Sequence, residues 1–69
     1  MGASERIDEL RKRYDENQRR FFAPLANEYR KAGDLEQAIA LCRLHLADAP
    51  SNLSGQIVFG QALNDAGNL

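Results

Sequence analysis

With 69 residues and a formal net charge of −1, the chain has room for one small domain and no global charge to draw it to nucleic acid or an anionic membrane. Its single cysteine, Cys42, excludes an intrachain disulfide framework and fits a reducing compartment. No apolar run approaches the roughly 20 residues of a membrane span, and the opening MGASERIDEL lacks the basic start and apolar core of a secretory leader, so a cytoplasmic location is expected.

No segment alternates Val, Ile and Thr as a half-buried strand would, so the chain reads as all-α. A first helix is predicted over 4–16, capped by Ser4, with Glu5 at its positive end. Ile7, Leu10 and Tyr14 make a narrow apolar stripe on an otherwise solvated helix. Asp8 faces Lys12 and Glu9 faces Arg13 one turn on, each pair worth about 0.3 kcal/mol on an exposed surface. Pro24 governs the next boundary. Inside a helix it would cost about 3 kcal/mol, whereas in a first turn the lost amide has no helical partner anyway. A break is therefore expected near 17–20, with a second helix over 21–32; a continuous kinked helix is the alternative.

The second helix carries Phe22, Leu25, Ala26, Tyr29 and Ala32 at buried-stripe spacing. Gly33 is expected to end it in the left-handed conformation. Asp34 should cap a third helix over 35–48, with Gln37 completing a capping box. That helix places Leu35, Ala38, Ile39, Cys42 and Leu46 on one face and Leu41 and Leu44 beside it, a width that implies packing on two sides. Pro50 stops it. Ser51 or Asn52 then caps a fourth helix over 53–66, with Ile57, Val58, Phe59, Ala62, Leu63 and Ala66 as its apolar residues. Gly60 lies inside this helix at a cost of about 1 kcal/mol against Ala, so it needs a packing reason; close approach to the third helix is the one expected.

At an offset of 34 residues, Ala32 repeats as Ala66, Gly33 as Gly67 and Leu35 as Leu69. Leu25 pairs with Phe59, Ala26 with Gly60, Tyr29 with Leu63 and Asp34 with Asn68 in the same register. A fixed period is the mark of stacked repeats. Phe22, Leu25, Ala26, Tyr29, Ala38, Cys42 and Pro50 stand at the spacing of the tetratricopeptide repeat family, which the chain resembles over residues 19 to 69. Phe22 replaces the usual Trp, Cys42 the usual aromatic and His45 a usual Ala, and Gln56 holds the Trp place of the second copy. The resemblance implies antiparallel helical hairpins stacked as a short right-handed solenoid. In one domain, 1–69, residues 1–18 form a lead-in helix, 19–52 a complete repeat and 53–69 the first helix of a truncated one. Ala26 and Ala38 would let the two helices of the repeat approach closely.

Little in the sequence carries chemistry. Cys42 and His45 lie three apart and could share a face, but two ligands fall short of the four a zinc site wants. No third group is placed to orient His45 as a base for a Cys42 nucleophile. A core thiol beside a partly buried imidazole is the better reading, so no catalytic, cofactor or metal residue is assigned and a non-enzymatic role is expected. Arg11, Lys12, Arg13, Arg19 and Arg20 are interrupted by Asp15 and Glu16 and balanced by Asp8 and Glu9, which reads as a solvated surface and not a nucleic-acid face.

The family resemblance implies a concave groove lined by the first helix of each repeat and holding an extended peptide. Its residues here would be Arg20, Ala23, Asn27, Arg30 and Lys31, with Ser54, Ile57, Gln61, Asn64 and Asp65 from the partial copy. The apolar residues Ile57, Val58, Phe59 and Leu63 have no following helix to cover them, and a large apolar patch rarely stays exposed. A protein-interaction module that forms a homodimer or higher homo-oligomer through its fourth helix is therefore expected. The alternative is an excised or engineered repeat fragment with no native ligand, suggested by the stop in the middle of a repeat.

Overall fold

A computed structural model describes residues 3–67, with side chains from Glu5 onward. Four helices fill the chain: α1 (Ala3–Glu16), α2 (Gln18–Lys31), α3 (Leu35–Asp48) and α4 (Leu53–Gly67). The fold is all-α, with no strand among the described residues. The helices pack as a slab of 28 × 28 × 15 Å. α2 lies against α1, α3 and α4, and α3 lies between α2 and α4, as expected for a helix apolar on two sides.

The turns arise from local chemistry. α1 starts at Ala3, which places Ser4 in its first turn instead of at the cap. Its bonding runs on to the Asn17 amide, which donates to the Arg13 carbonyl at 2.9 Å. Asn17 then breaks the run with φ −151° and ψ 86°, and its Oδ1 accepts from the Arg20 amide, capping α2. The expected break is thus a single residue. Because α2 begins at Gln18, Pro24 falls in its second turn, not its first. Pro24 is exposed, on the side of α2 that turns to a surface cleft, where the carbonyl that its missing amide leaves free is open to solvent.

Gly33, at φ +88°, ends α2 as expected. The Asp34 amide donates to the Tyr29 carbonyl at 2.9 Å and the Gly33 amide to the Arg30 carbonyl at 3.1 Å, the paired bonds of a Schellman cap. Asp34 caps α3 through Oδ1 on the Gln37 amide at 3.3 Å. The Gln37 side chain returns to the Asp34 carboxylate at 3.0 Å, not to the backbone amide a reciprocal capping box would use. That amide is already taken by Tyr29. Asn52, not Ser51, caps α4, accepting from the Gly55 amide at 2.8 Å. The Gln56 side-chain amide closes the α3–α4 turn on the Pro50 carbonyl.

The core runs between α2 and α3 and out to α4. Phe22, Ala26, Ala38, Cys42 and Ala62 are wholly buried, with Leu25, Ala23, Tyr29 and Val58 nearly so. Ala26 of α2 and Ala38 of α3 both belong to this core, and α2 packs on α3. Ile7, Leu10 and Tyr14 of α1 pack on this core from one side. Leu41 joins from α3, but Leu44 is 62% exposed and takes no part.

The close approach of α4 is made at Gly55, not at Gly60. A Cβ at Gly55 would stand 2.6 Å from Phe22 Cζ and 3.1 Å from Leu46 Cδ2. At Gly60 the same Cβ would meet nothing within 4 Å, because Gly60 faces away from α3. The fourth helix therefore docks by Gly55, Val58 and Ala62. Of the two expected helix pairs on α1, Glu9–Arg13 forms at 3.2 Å, while Asp8–Lys12 makes no ion pair.

Candidate functional site

Three places in the molecule gather groups capable of recognition. The first is a junction where all four helices meet. Tyr14 of α1 reaches His45 of α3 with a 2.6 Å hydrogen bond between its hydroxyl and Nε2, the rings edge to face at 5.4 Å. His45 stacks on Phe22 of α2 at 4.9 Å, and the Phe22 ring lies on the bare Cα of Gly55 in α4. His45 is 7% exposed, so the imidazole is a fully packed core residue. Burial raises the Tyr14 phenol above its ordinary value, and Asp15 next to it adds to the rise. Cys42, one turn from His45, is wholly buried, and burial pushes its thiol up as well. A buried, protonated thiol is a poor nucleophile and ligand, and Nε2 of His45 is held by the Tyr14 hydroxyl. The junction is built to hold helices together.

The second place is a cleft of about 360 Å³ between α2 and α4, lined by Arg19, Arg20, Ala23, Pro24, Asn27, Asn52, Ser54 and Val58. The two helices run in the same direction, since Phe22 meets Gly55 near one end and Arg30 meets Asp65 near the other. Both helices point their N-termini toward the end that carries Arg19 and Arg20. Among the described residues neither arginine has an ion-pair partner. Arg20 also lies over the Phe21 ring at 5.7 Å.

The residues expected to line a peptide groove are divided by the fold. Arg20, Ala23, Asn27 and Ser54 line the cleft. Arg30 stands beyond Asn27 at its far end, with Nε and a terminal nitrogen donating to Asn27 Oδ1 at 3.2 and 3.0 Å. Its other terminal nitrogen donates to Asp65 Oδ2 at 3.1 Å. Lys31 turns to the buried carboxylate of Glu28 at 3.4 Å, which Arg6 of α1 also meets at 3.3 Å. Gln61, Asn64 and Ile57 are exposed on α4 outside the cleft lining. Arg19 and Asn52 belong to the cleft although the sequence pattern does not place them there. Their signal is local: an arginine beside Arg20, and a cap whose helix starts at the cleft mouth.

The third place is the outer face of α4. Leu53 is 68%, Ile57 53% and Leu63 41% exposed, and Gly60 lies bare among them. Phe59 is half-buried against the core. Val58, expected on this surface, is only 8% exposed because it is one of the residues that seat α4 on the core. Leu53 takes its place. A further depression of about 370 Å³ on the outer flank of α3, lined by Glu36, Gln37, Ala40, Leu41 and Leu44, holds no cationic side chain.

Comparison of the chain with protein-family models, curated proteins and solved structures gave no match. No described helix is long and apolar enough to cross a membrane.

Proposed function

We propose that the chain is a non-enzymatic helical-repeat module for protein–protein interaction, of the tetratricopeptide type, that associates with a second copy of itself through the outer face of α4. The observation that carries this reading is the near absence of charge on an exposed helix. α4 has one charged residue in 15, Asp65, and it is paired with Arg30. α1, by contrast, carries nine charged residues in 14. A face with Leu53, Ile57 and Leu63 exposed and no charge offers nothing to select a partner of opposite sign. Its best complement on this molecule is itself, across a two-fold axis. Gly60 at the centre leaves room for a helix to come close.

The contact is weak by its size. Six half-exposed aliphatic side chains across a two-fold interface give on the order of 6 kcal/mol of burial. Association itself costs about 4–15 kcal/mol. Mass should therefore rise with concentration between the micromolar and millimolar ranges in sedimentation equilibrium. Ile57→Glu should hold the protein as a folded monomer throughout. Val58→Glu should instead unfold the protomer, because that charge would be buried. A wild-type mass that stays monomeric over the whole range would end the self-association reading.

The cleft between α2 and α4 supports a second surface in the same class. Two free guanidinium groups at one end, amide and hydroxyl groups along the walls and an apolar floor suit an extended acidic peptide.

A further inference from the structure

We infer that Asp65 is an internal competitor for the cleft: its carboxylate occupies on Arg30 the place that an acidic side chain of a bound peptide would take. The inference rests on reading the cleft as a peptide surface, and it adds an autoinhibitory contact to that reading.

The asymmetry of the three arginines motivates it. Arg19 and Arg20 open the cleft without a carboxylate partner among the described residues. Arg30, on the same helix ten positions beyond Arg20, has every guanidinium nitrogen engaged, two by Asn27 and one by Asp65. Asn27 belongs both to the cleft wall and to this network, so the Arg30–Asp65 pair closes the cleft where Asn27 ends it. The pair joins α2 to α4 just beyond the Asn27 end of the cleft, and does not run along one helix. Its members remain within reach of a ligand: the Arg30 side chain is 21% and the Asp65 side chain 40% exposed.

The distances set the kind of partner. Ten helical residues from Arg20 to Arg30 span about 15 Å. An extended peptide rises about 3.3 Å per residue, so two carboxylates four residues apart, with their side-chain reach, meet both ends. The partner is an acidic extended segment with that spacing. With Asp65 in place, such a segment is held at the Arg19–Arg20 end and must displace Asp65 to gain the other. A competitor already in the site lowers apparent affinity by the fraction of time it occupies it.

The test uses a fluorescein-labelled peptide, Asp-Ala-Ala-Ala-Asp, and its neutral counterpart Asn-Ala-Ala-Ala-Asn, titrated by fluorescence anisotropy. Asp65→Ala should tighten binding of the acidic peptide about two- to fivefold, the range a partly exposed ion pair commands, and leave the neutral peptide unchanged. Adding Arg30→Ala to that variant should remove the gain. Glu36→Ala makes the same change in net charge on the outer side of α3 and should leave affinity where it was. Asp65→Asn, which keeps the shape, should reproduce the direction of the effect and serves if Asp65→Ala unfolds. If the acidic peptide binds wild type and both Asp65 variants equally, or if Glu36→Ala tightens it as much, the competitor is disproved while the cleft stands. If neither wild type nor the Asp65 variants bind it, the peptide-surface reading falls and takes the competitor with it.

Discussion

α2 and α4 share one sequence pattern at an offset of 34, run in the same direction and both lie against α3, yet three of their matched pairs have opposite fates. Phe22 is wholly buried and Gln56 is exposed; Ala26 is wholly buried and Gly60 faces open space. Tyr29 is 6% exposed and Leu63 41%. The stripe on α2 is covered by α3. The equivalent stripe on α4 has no helix against it among the described residues, and α4 reaches α3 with Gly55, Val58 and Ala62 instead. The counterparts of those three on α2 are Phe21, Pro24 and Glu28, of which Glu28 meets Arg6 of α1. A periodic pattern states which face suits a neighbour; whether a neighbour arrives is a separate fact.

The sharpest way to break this comparison is to truncate a matched pair. Phe22→Ala should cost about 3–5 kcal/mol in denaturant unfolding, since it empties the junction where four helices meet. Gln56→Ala, its counterpart, should stay within about 0.5 kcal/mol as an ordinary surface change. Equal losses would mean that α4 is covered after all. The glycines give the next effect. Gly55→Ala should destabilise by about 1–3 kcal/mol, because its methyl meets the Phe22 ring. Gly60→Ala at low protein concentration should stabilise by up to about 1 kcal/mol, because the added methyl meets nothing and favours the helix.

The smallest effect is a pH dependence that only the buried side should show. Cys42 and Tyr14 are raised above their ordinary values of 9.0 and 10.0. The unfolded chain therefore loses these protons first, and stability that is full below about pH 9 declines as pH rises through the folded values. Chemical denaturation monitored from pH 7 upward should show that decline, and Cys42→Ala should make it shallower even though it lowers stability at every pH. The outer face of α4 has no group that titrates there, so Ile57→Glu should leave the alkaline slope unchanged.

Much of the architecture is legible in the sequence because it depends on neighbours along the chain. Gly33, Asp34 with Gln37, and Asn52 act within one turn of the chain, and the third helix has the span its apolar pattern and caps define. Pro24 departs from its expected first-turn place because the Asn17 cap, a local hydrogen bond, outweighs that preference of proline. The candidate site is legible only in part. Arg20, Ala23, Asn27 and Arg30 do lie along one side of α2, as helical spacing requires. That Arg30 is held by Asp65, that Lys31 serves Glu28 and that Arg19 joins the cleft depend on how α4 and α1 are set against α2.

By itself, then, the sequence determined four helices, the caps at Gly33, Asp34 and Asn52 and most of the apolar stripes, because periodicity and capping are properties of a few adjacent residues. Tertiary structure alone decided that Gly55 and not Gly60 admits a neighbour and that Val58 is buried while Leu53 is bare. It also decided that His45, which by spacing could be half of a ligand pair, joins Tyr14 and Phe22 at the centre of the fold. Each of these depends on the rotation of one helix about its axis relative to another. That angle is set by the interlocking of side chains far apart in the chain, such as Tyr14 with His45 and Phe22 with Gly55, and no local pattern records it.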